Sequence, residues 1–342
     1  MHSKIFVVSI AVLSLVACGG DSKPPAQTQP PAPPAALVGA TPGTSSDISA
    51  DGATTNVDIQ HGIKSLQAGE YADAKTSFQS ALNSKADAPD AHFYLGEVAE
   101  KQSDDSTAEN EYKSALKLRP DFVDAAQNLG ALYIDEQKWD DAKAVLTPAL
   151  AKHGQEPSLN LDMALVLANK GDQAGSDAAF KQALTLSPGD PMFMLTYAHW
   201  LGAWKQPDAA VEKLRAARPL AKDDVGMLAA IGHEMYVLGA FADCVPTFDR
   251  AIQIKDAAEL RTERAACKGG AKDEAGAMAD LLAAEKMDNS YPLAHYYLGL
   301  HYAKAKKTKD AITEFETFVK LEPNSPAAGK AKEHLKQLKA GK

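Results

Sequence analysis

From residue 55 onward the chain repeats itself every 34 residues, and a repeat of that length constrains the fold more than any other feature of the sequence. The blocks begin at Thr55, Pro89, Val123, Pro157, Pro191, Val225, Ala258 and Pro292, and the sixth is one residue short. Position 8 reads Gly62, Gly96, Gly130, Ala164, Ala198, Gly232, Ala265 and Gly299. Position 20 reads Ala74, Ala108, Ala142, Ser176, Ala210, Cys244, Ala277 and Ala311. Position 24 is apolar throughout (Phe78, Tyr112, Leu146, Phe180, Leu214, Phe248, Leu281, Phe315), and position 27 is alanine in all blocks but the last, which has Phe318. Small residues at positions 8 and 20 let two antiparallel helices approach closely. The bulky residue at 24 and the alanine at 27 then fill the space toward the next block.

The clearest copies are Asn128-Leu129-Gly130-Ala131-Leu132-Tyr133 with Ala142, and Tyr297-Leu298-Gly299-Leu300-His301-Tyr302 with Ala311, Phe315 and Pro323. Over residues 55–325 this pattern resembles the tetratricopeptide repeat (TPR) family. The resemblance implies an all-α chain: a right-handed α-solenoid of about eight helix-turn-helix repeats. Ser325-Pro326 is a helix start, an N-cap followed by proline at the first helical position. Ala328, Ala331, Leu335 and Leu338 then form a narrow apolar stripe among lysines, the C-terminal capping helix that a repeat array needs, over 326–342. Lys304 to Lys342 holds ten lysines against five acids, and those lysines read as solvation of the cap. Two blocks depart from the pattern, with His61 and Arg264 where leucine is usual. Gly269-Gly270 in the inter-helix turn of the seventh block marks the place expected for any hinge.

Before the repeats, residues 1–17 read as a signal peptide, with Lys4 ahead of a twelve-residue apolar stretch from Ile5 to Val16. No apolar run reaches the roughly 20 residues a membrane-spanning helix takes. Leu15-Val16-Ala17-Cys18 resembles the lipobox of bacterial lipoproteins, which implies cleavage before Cys18 and acylation of its sulfur. Gly19, in place of aspartate, implies the outer membrane. The expected location is therefore the bacterial cell envelope, lipid-anchored and facing the periplasm. Residues 18–54 carry the modified cysteine and a tether with seven prolines between Pro24 and Pro42, too poor in large apolar residues to build a core. As a flexible coil this tether would span about 35 Å.

With 36 Lys+Arg against 45 Asp+Glu, the net charge of −9 argues against a nucleic-acid partner, which needs a basic face. A phosphate loop, a Gly-x-Ser-x-Gly elbow, His-Glu-x-x-His and paired cysteines of metal-site spacing are missing from the sequence, so no enzyme, cofactor, metal or small-molecule substrate is expected. His199 and His233 share position 9 one repeat apart, a spacing of about 10 Å between helices that suits polar groove contacts better than a shared ion. His295 and His301, six apart on one helix, point to different sides. Cys244 and Cys267 fall on helices expected to be neighbours. A disulfide is one reading, and two small buried thiols standing in for alanine is the other.

Function then rests on binding. Positions 2, 5, 9 and 12 of each first helix share one side, the concave side of a solenoid. Positions 5 and 9 contain no lysine or arginine in any block, which excludes the carboxylate clamp some TPR domains use. Pro191 to Trp204 contains no charged residue. The expected partner groove is therefore apolar toward its middle and lined by Phe93, Leu161, Leu165, Met192, Leu195, His199, His233 and Tyr296. It would take a helical or extended segment of a protein partner. The reading that results is a membrane-anchored scaffold for protein–protein interaction. The alternatives are an assembly or piloting lipoprotein for a secretin or type IV pilus, and an adaptor for cell-wall enzymes.

Overall fold

The computed structural model describes residues 57–84 and 89–341. The signal peptide, Cys18 and the tether lie outside the described residues. Seventeen helices and no strand make up the regular structure of the described residues. They fall into two compact units that part between Pro188 and Gly189. The first unit holds four helix pairs: α1 (Val57–Ala68) with α2 (Tyr71–Ser84), α3 (Pro89–Lys101) with α4 (Asp105–Leu118), α5 (Val123–Asp135) with α6 (Trp139–Lys152), and α7 (Pro157–Asn169) with α8 (Gln173–Leu186). The second holds α9 (Pro191–Ala203) with α10 (Pro207–Leu220), α11 (Val225–Val237) with α12 (Phe241–Ile254), α13 (Ala258–Gly270) with α14 (Glu274–Met287), and α15 (Pro292–Lys304) with α16 (Thr308–Leu321). It ends on the capping helix α17 (Pro326–Lys339).

These boundaries follow from local chemistry. Seven first helices start on the first residue of their 34-residue block. Asp190 and Asp224 cap α9 and α11 by accepting from the backbone N–H groups of Met192 and Met227, and Ser325 caps α17 by accepting from Ala328. Between the helices of every pair, position 15 takes a left-handed backbone: Gly69, Ser103, Gln137, Gly171, Lys205, Gly239, Lys272 and Lys306. The next N–H closes the turn onto the carbonyl five residues back, as in Asp104 to Ala99 at 2.9 Å and Lys307 to Tyr302 at 2.9 Å, a Schellman end to the first helix. Glycine adopts this conformation freely, whereas a side chain costs about 1 kcal/mol there, partly offset by glycine's larger folding entropy. Lys272→Gly is therefore expected to stabilise the chain by about 0.5 kcal/mol. A urea midpoint that moves up at constant m would register this, and a midpoint that falls would refute it.

The small positions and the bulky ones meet as the repeat pattern requires. Every residue at positions 20, 24 and 27 is fully buried. A Cβ added to Gly62 or Gly96 would lie 2.5 Å from the ring of Phe78 or Tyr112, so the ring occupies the space a side chain at position 8 would need. Glycine at 8 thus goes with an aromatic at 24 in the first, second, sixth and eighth repeats, and alanine goes with leucine in the fifth and seventh. Two repeats break the rule, the third by pairing Gly130 with Leu146 and the fourth by pairing Ala164 with Phe180; in the fourth, Ser176 Oγ donates to the Ala164 carbonyl at 2.7 Å.

Gly269-Gly270, expected in the inter-helix turn, form the last two residues of α13. Gly270 serves close approach instead. A Cβ at that position would come within 2.4 Å of the Phe241 ring on α12.

Candidate interaction surface

First helices touch one another as well as their own second helices: α1 packs on α3 and α5 on α7 in the first unit, and α9 on α11, α11 on α13 and α13 on α15 in the second. That seam corrects the groove expected from sequence. Phe93 and Leu161 are 7% exposed, Leu195 3%, Leu165 2% and Tyr296 0%, so these five are core. Phe93 packs in the core against the rings of Tyr112 and Phe122, and Tyr296 against those of Phe315 and Phe318. Of the expected groove residues, Met192, His199 and His233 are half-buried and within reach of solvent.

What the first helices keep accessible is more polar than the sequence reading held. In the first unit, Tyr94 and Glu97 on α3, Gln127 on α5 and Asp162 on α7 are half-buried. Burial, reinforced by the charge of Glu100, pushes the Glu97 carboxyl up to about 7. Asp162 is raised to about 7 by burial, against the pull of a hydrogen bond donated by Gln127 Nε2 at 3.2 Å. Among the described residues no ion pair joins Glu97 or Asp162 to a lysine or arginine. Burial also lifts Tyr94 to about 12, helped by the charges of Glu97, Asp90 and Asp124.

In the second unit the accessible groups pair across repeats. His199 Nδ1 lies 3.4 Å from the Glu234 carboxylate, and His233 Nδ1 lies 3.4 Å from that of Glu263. The sequence reading left both histidines without a carboxylate partner, because the partners come from the next repeat and no spacing along one helix reveals them. Burial works to lower the His233 pKa, but the hydrogen bond and charge of Glu263, with Glu234 behind it, leave it raised.

Two features flagged in the sequence sit apart from this face. Cys244 on α12 and Cys267 on α13 are joined with their Cα atoms 5.9 Å apart, tying the sixth repeat to the seventh. Arg264, in a leucine slot, is bound by Asp280 and by Asp249 at 2.7 Å.

Three family models, each describing a tetratricopeptide repeat, match residues 60–121, 102–164 and 293–325. Residues 60–164 and 293–325 are thereby matched as tetratricopeptide repeats. A curated relative, "Cellulose synthase 2 operon protein C" of Komagataeibacter xylinus, is 27% identical to this TPR protein over 179 residues. The match covers 48% of this chain but only 13% of the relative. Among solved structures, a tetratricopeptide repeat protein from Parabacteroides merdae is similar at a TM-score of 0.51 and 16% identity, over 71% of this chain and 97% of its own. PilW, titled a type IV pilus biogenesis factor, is similar at a TM-score of 0.51 and 18% identity, over 58% of this chain and 92% of its own. At these identities the likeness is one of fold. The fold is that of a scaffold for protein–protein interaction, built from helix pairs that present side chains for docking.

Proposed function

We propose that this TPR protein is an envelope lipoprotein, held to a membrane through Cys18 and its tether, that docks a partner polypeptide on the accessible side of its first helices. The observation that carries the docking part of this reading is geometric: Glu97 and Asp162 are half-buried on the accessible side of their helices, and among the described residues neither is paired with a lysine or arginine. Core packing gains nothing from an acid whose charged form is penalised by burial. A lysine or arginine of a docked segment would restore the charged form and convert that penalty into binding energy. The first unit therefore suits a basic segment. Met192, His199 and His233 offer the second unit a mixed apolar and polar contact.

Affinity capture from solubilised envelopes tests the reading, comparing the wild-type chain with a Glu97→Gln, Asp162→Asn variant and a Met192→Glu, His199→Glu variant. The wild type should retain a protein that at least one variant loses about tenfold or more, with all three melting alike. Equal retention by all three chains would overturn the docking surface. In the same cells, Cys18→Ala should move the protein from the membrane to the soluble envelope fraction, and a variant still sedimenting with membranes would overturn the anchor.

The second reading, an assembly factor for a pilus or secretin, draws on the same anchor and repeats and on the fold shared with the pilus biogenesis factor PilW. The identity of the captured protein separates the two: a pilin or secretin subunit favours the second reading, and a cell-wall enzyme favours the adaptor role.

A further inference from the structure

The last two repeats bring together three side chains that the docking surface does not use. Glu285 comes from α14, His295 from α15 and Glu314 from α16, and one ligand-type atom from each lies within 4.8 Å of the others. His295 is 4% exposed. Its Nε2 lies 2.8 Å from the backbone carbonyl of Asn289, an acceptor, so Nε2 must carry the hydrogen and donate it. Nδ1 then faces Glu314 Oε2 at 2.7 Å. In the neutral ring that atom is a lone pair set against a carboxylate, and a cation has to lie between the two.

A proton could be that cation, and the second repeat offers a comparison. His92 and Glu111 occupy positions 4 and 23 there, as His295 and Glu314 do in the eighth repeat, also 2.7 Å apart. At position 28 of the preceding repeat the second repeat faces Leu82, and the eighth faces Glu285. The extra carboxylate makes the difference. An imidazolium with two carboxylates leaves the half-buried cluster negative, and the charged groups acting on Glu285 are Glu314 and His295. A divalent ion with a neutral imidazole makes the set electrically neutral.

We propose that Glu285, His295 and Glu314 bind a divalent first-row transition-metal ion, with zinc as the representative, through His295 Nδ1 and one oxygen of each carboxylate. The hydrogen bond from Nε2 to a backbone carbonyl is the outer-shell arrangement that orients histidine ligands and fixes their tautomer. Ligand bonds of about 2.0–2.2 Å to nitrogen and oxygen hold donor atoms on one tetrahedral ion about 3.4 Å apart, so binding requires the Glu285 carboxylate to close in and the 2.7 Å contact of His295 with Glu314 to open. Nitrogen and carboxylate donors with no thiolate suit zinc and its neighbours. A bound ion would pin α14 to α15 and α16, joining the seventh repeat to the eighth.

The test uses the full chain stripped with a chelator, with zinc chloride alone as the probe. We expect one zinc per chain to survive gel filtration, counted by elemental analysis, and the melting temperature to rise by several degrees. Glu285→Gln keeps the shape, removes the third ligand's charge and relieves the repulsion from Glu314, so its metal-free melting temperature should be no lower than wild type. That variant should lose both the retained zinc and the shift, whereas His92→Asn should keep both. Retention of equal zinc by Glu285→Gln and wild type, or no zinc retained by wild type at tens of micromolar, would overturn the site.

Discussion

Replacing Asp280 with alanine is expected to lower the stability of the chain by about 3 kcal/mol, a larger loss than a typical surface ion pair produces. Asp280 lies on α14 at 3% exposure. It accepts hydrogen bonds from Arg264 Nε at 2.8 Å, Arg264 Nη2 at 2.5 Å and Lys268 Nζ at 2.8 Å, and Arg261 Nη1 stands 3.6 Å away. Without the carboxylate, Arg264 and Lys268 face each other inside the repeat. Arg264 keeps Asp249, and Lys268 has no comparable second anion among its ion pairs. Position 7 elsewhere is apolar except for His61, so Arg264→Leu in the Asp280→Ala background should recover part of the loss.

The same pair sets an acid response. Burial by itself would raise the Asp280 carboxyl, but the hydrogen bonds and charges of Arg264 and Lys268 hold it below the usual range. A depressed folded value means that the contribution is complete above the ordinary aspartate pKa of about 3.9 and is lost as pH falls through the lower folded one. The gap between wild type and Asp280→Ala should therefore persist at pH 4 and close only in stronger acid. Urea melts across that range give the measurement. A loss under about 1 kcal/mol at neutral pH would place the network with ordinary exposed pairs.

Gly232→Ala should cost about 2 kcal/mol, because the new Cβ would sit 2.7 Å from Phe248 Cε2 in a fully buried site. Phe248→Leu alone should cost about 1–2 kcal/mol for the lost ring atoms. Together the two changes recreate the alanine–leucine pairing of Ala198 with Leu214 and Ala265 with Leu281. The double variant should then be more stable than the sum of the single losses by about 1 kcal/mol or more, a coupling expected only of residues in contact. Strict additivity would show that the close approach across the pair does not decide which residues occupy the two positions.

Helix boundaries, pairing and the buried positions were legible in the sequence because each rests on a short-range demand repeated eight times. Glycine occupies the left-handed turn position at Gly69, Gly171 and Gly239. At Ser103, Gln137, Lys205, Lys272 and Lys306 the side chain carries no sign of a left-handed backbone. The face of the first helices was misread at Leu195 for a different reason. An apolar residue outside the intra-repeat pattern is equally at home in a groove or in the seam with the next first helix, and only the packing of α9 on α11 separates the two. The grouping of Glu285, His295 and Glu314 escaped notice because each comes from a different helix, and comparing histidines along α15 could not bring in carboxylates from α14 and α16.

The left-handed turn also governs where a chain of this kind can change length. The turns inside the pairs must present one residue in that conformation and close onto a fixed carbonyl, so their register leaves no slack. The linkers between pairs carry no such requirement, and the single residue missing from the sixth block is missing there: three residues separate α12 from α13, where four separate α10 from α11 and α14 from α15. Insertions and deletions that drift through a lineage should collect at these linkers, while the turns within pairs tolerate exchange of side chains and little else. The array is thus a string of rigid words with elastic spaces, and its descendants can lengthen or shorten the spaces without respelling the words.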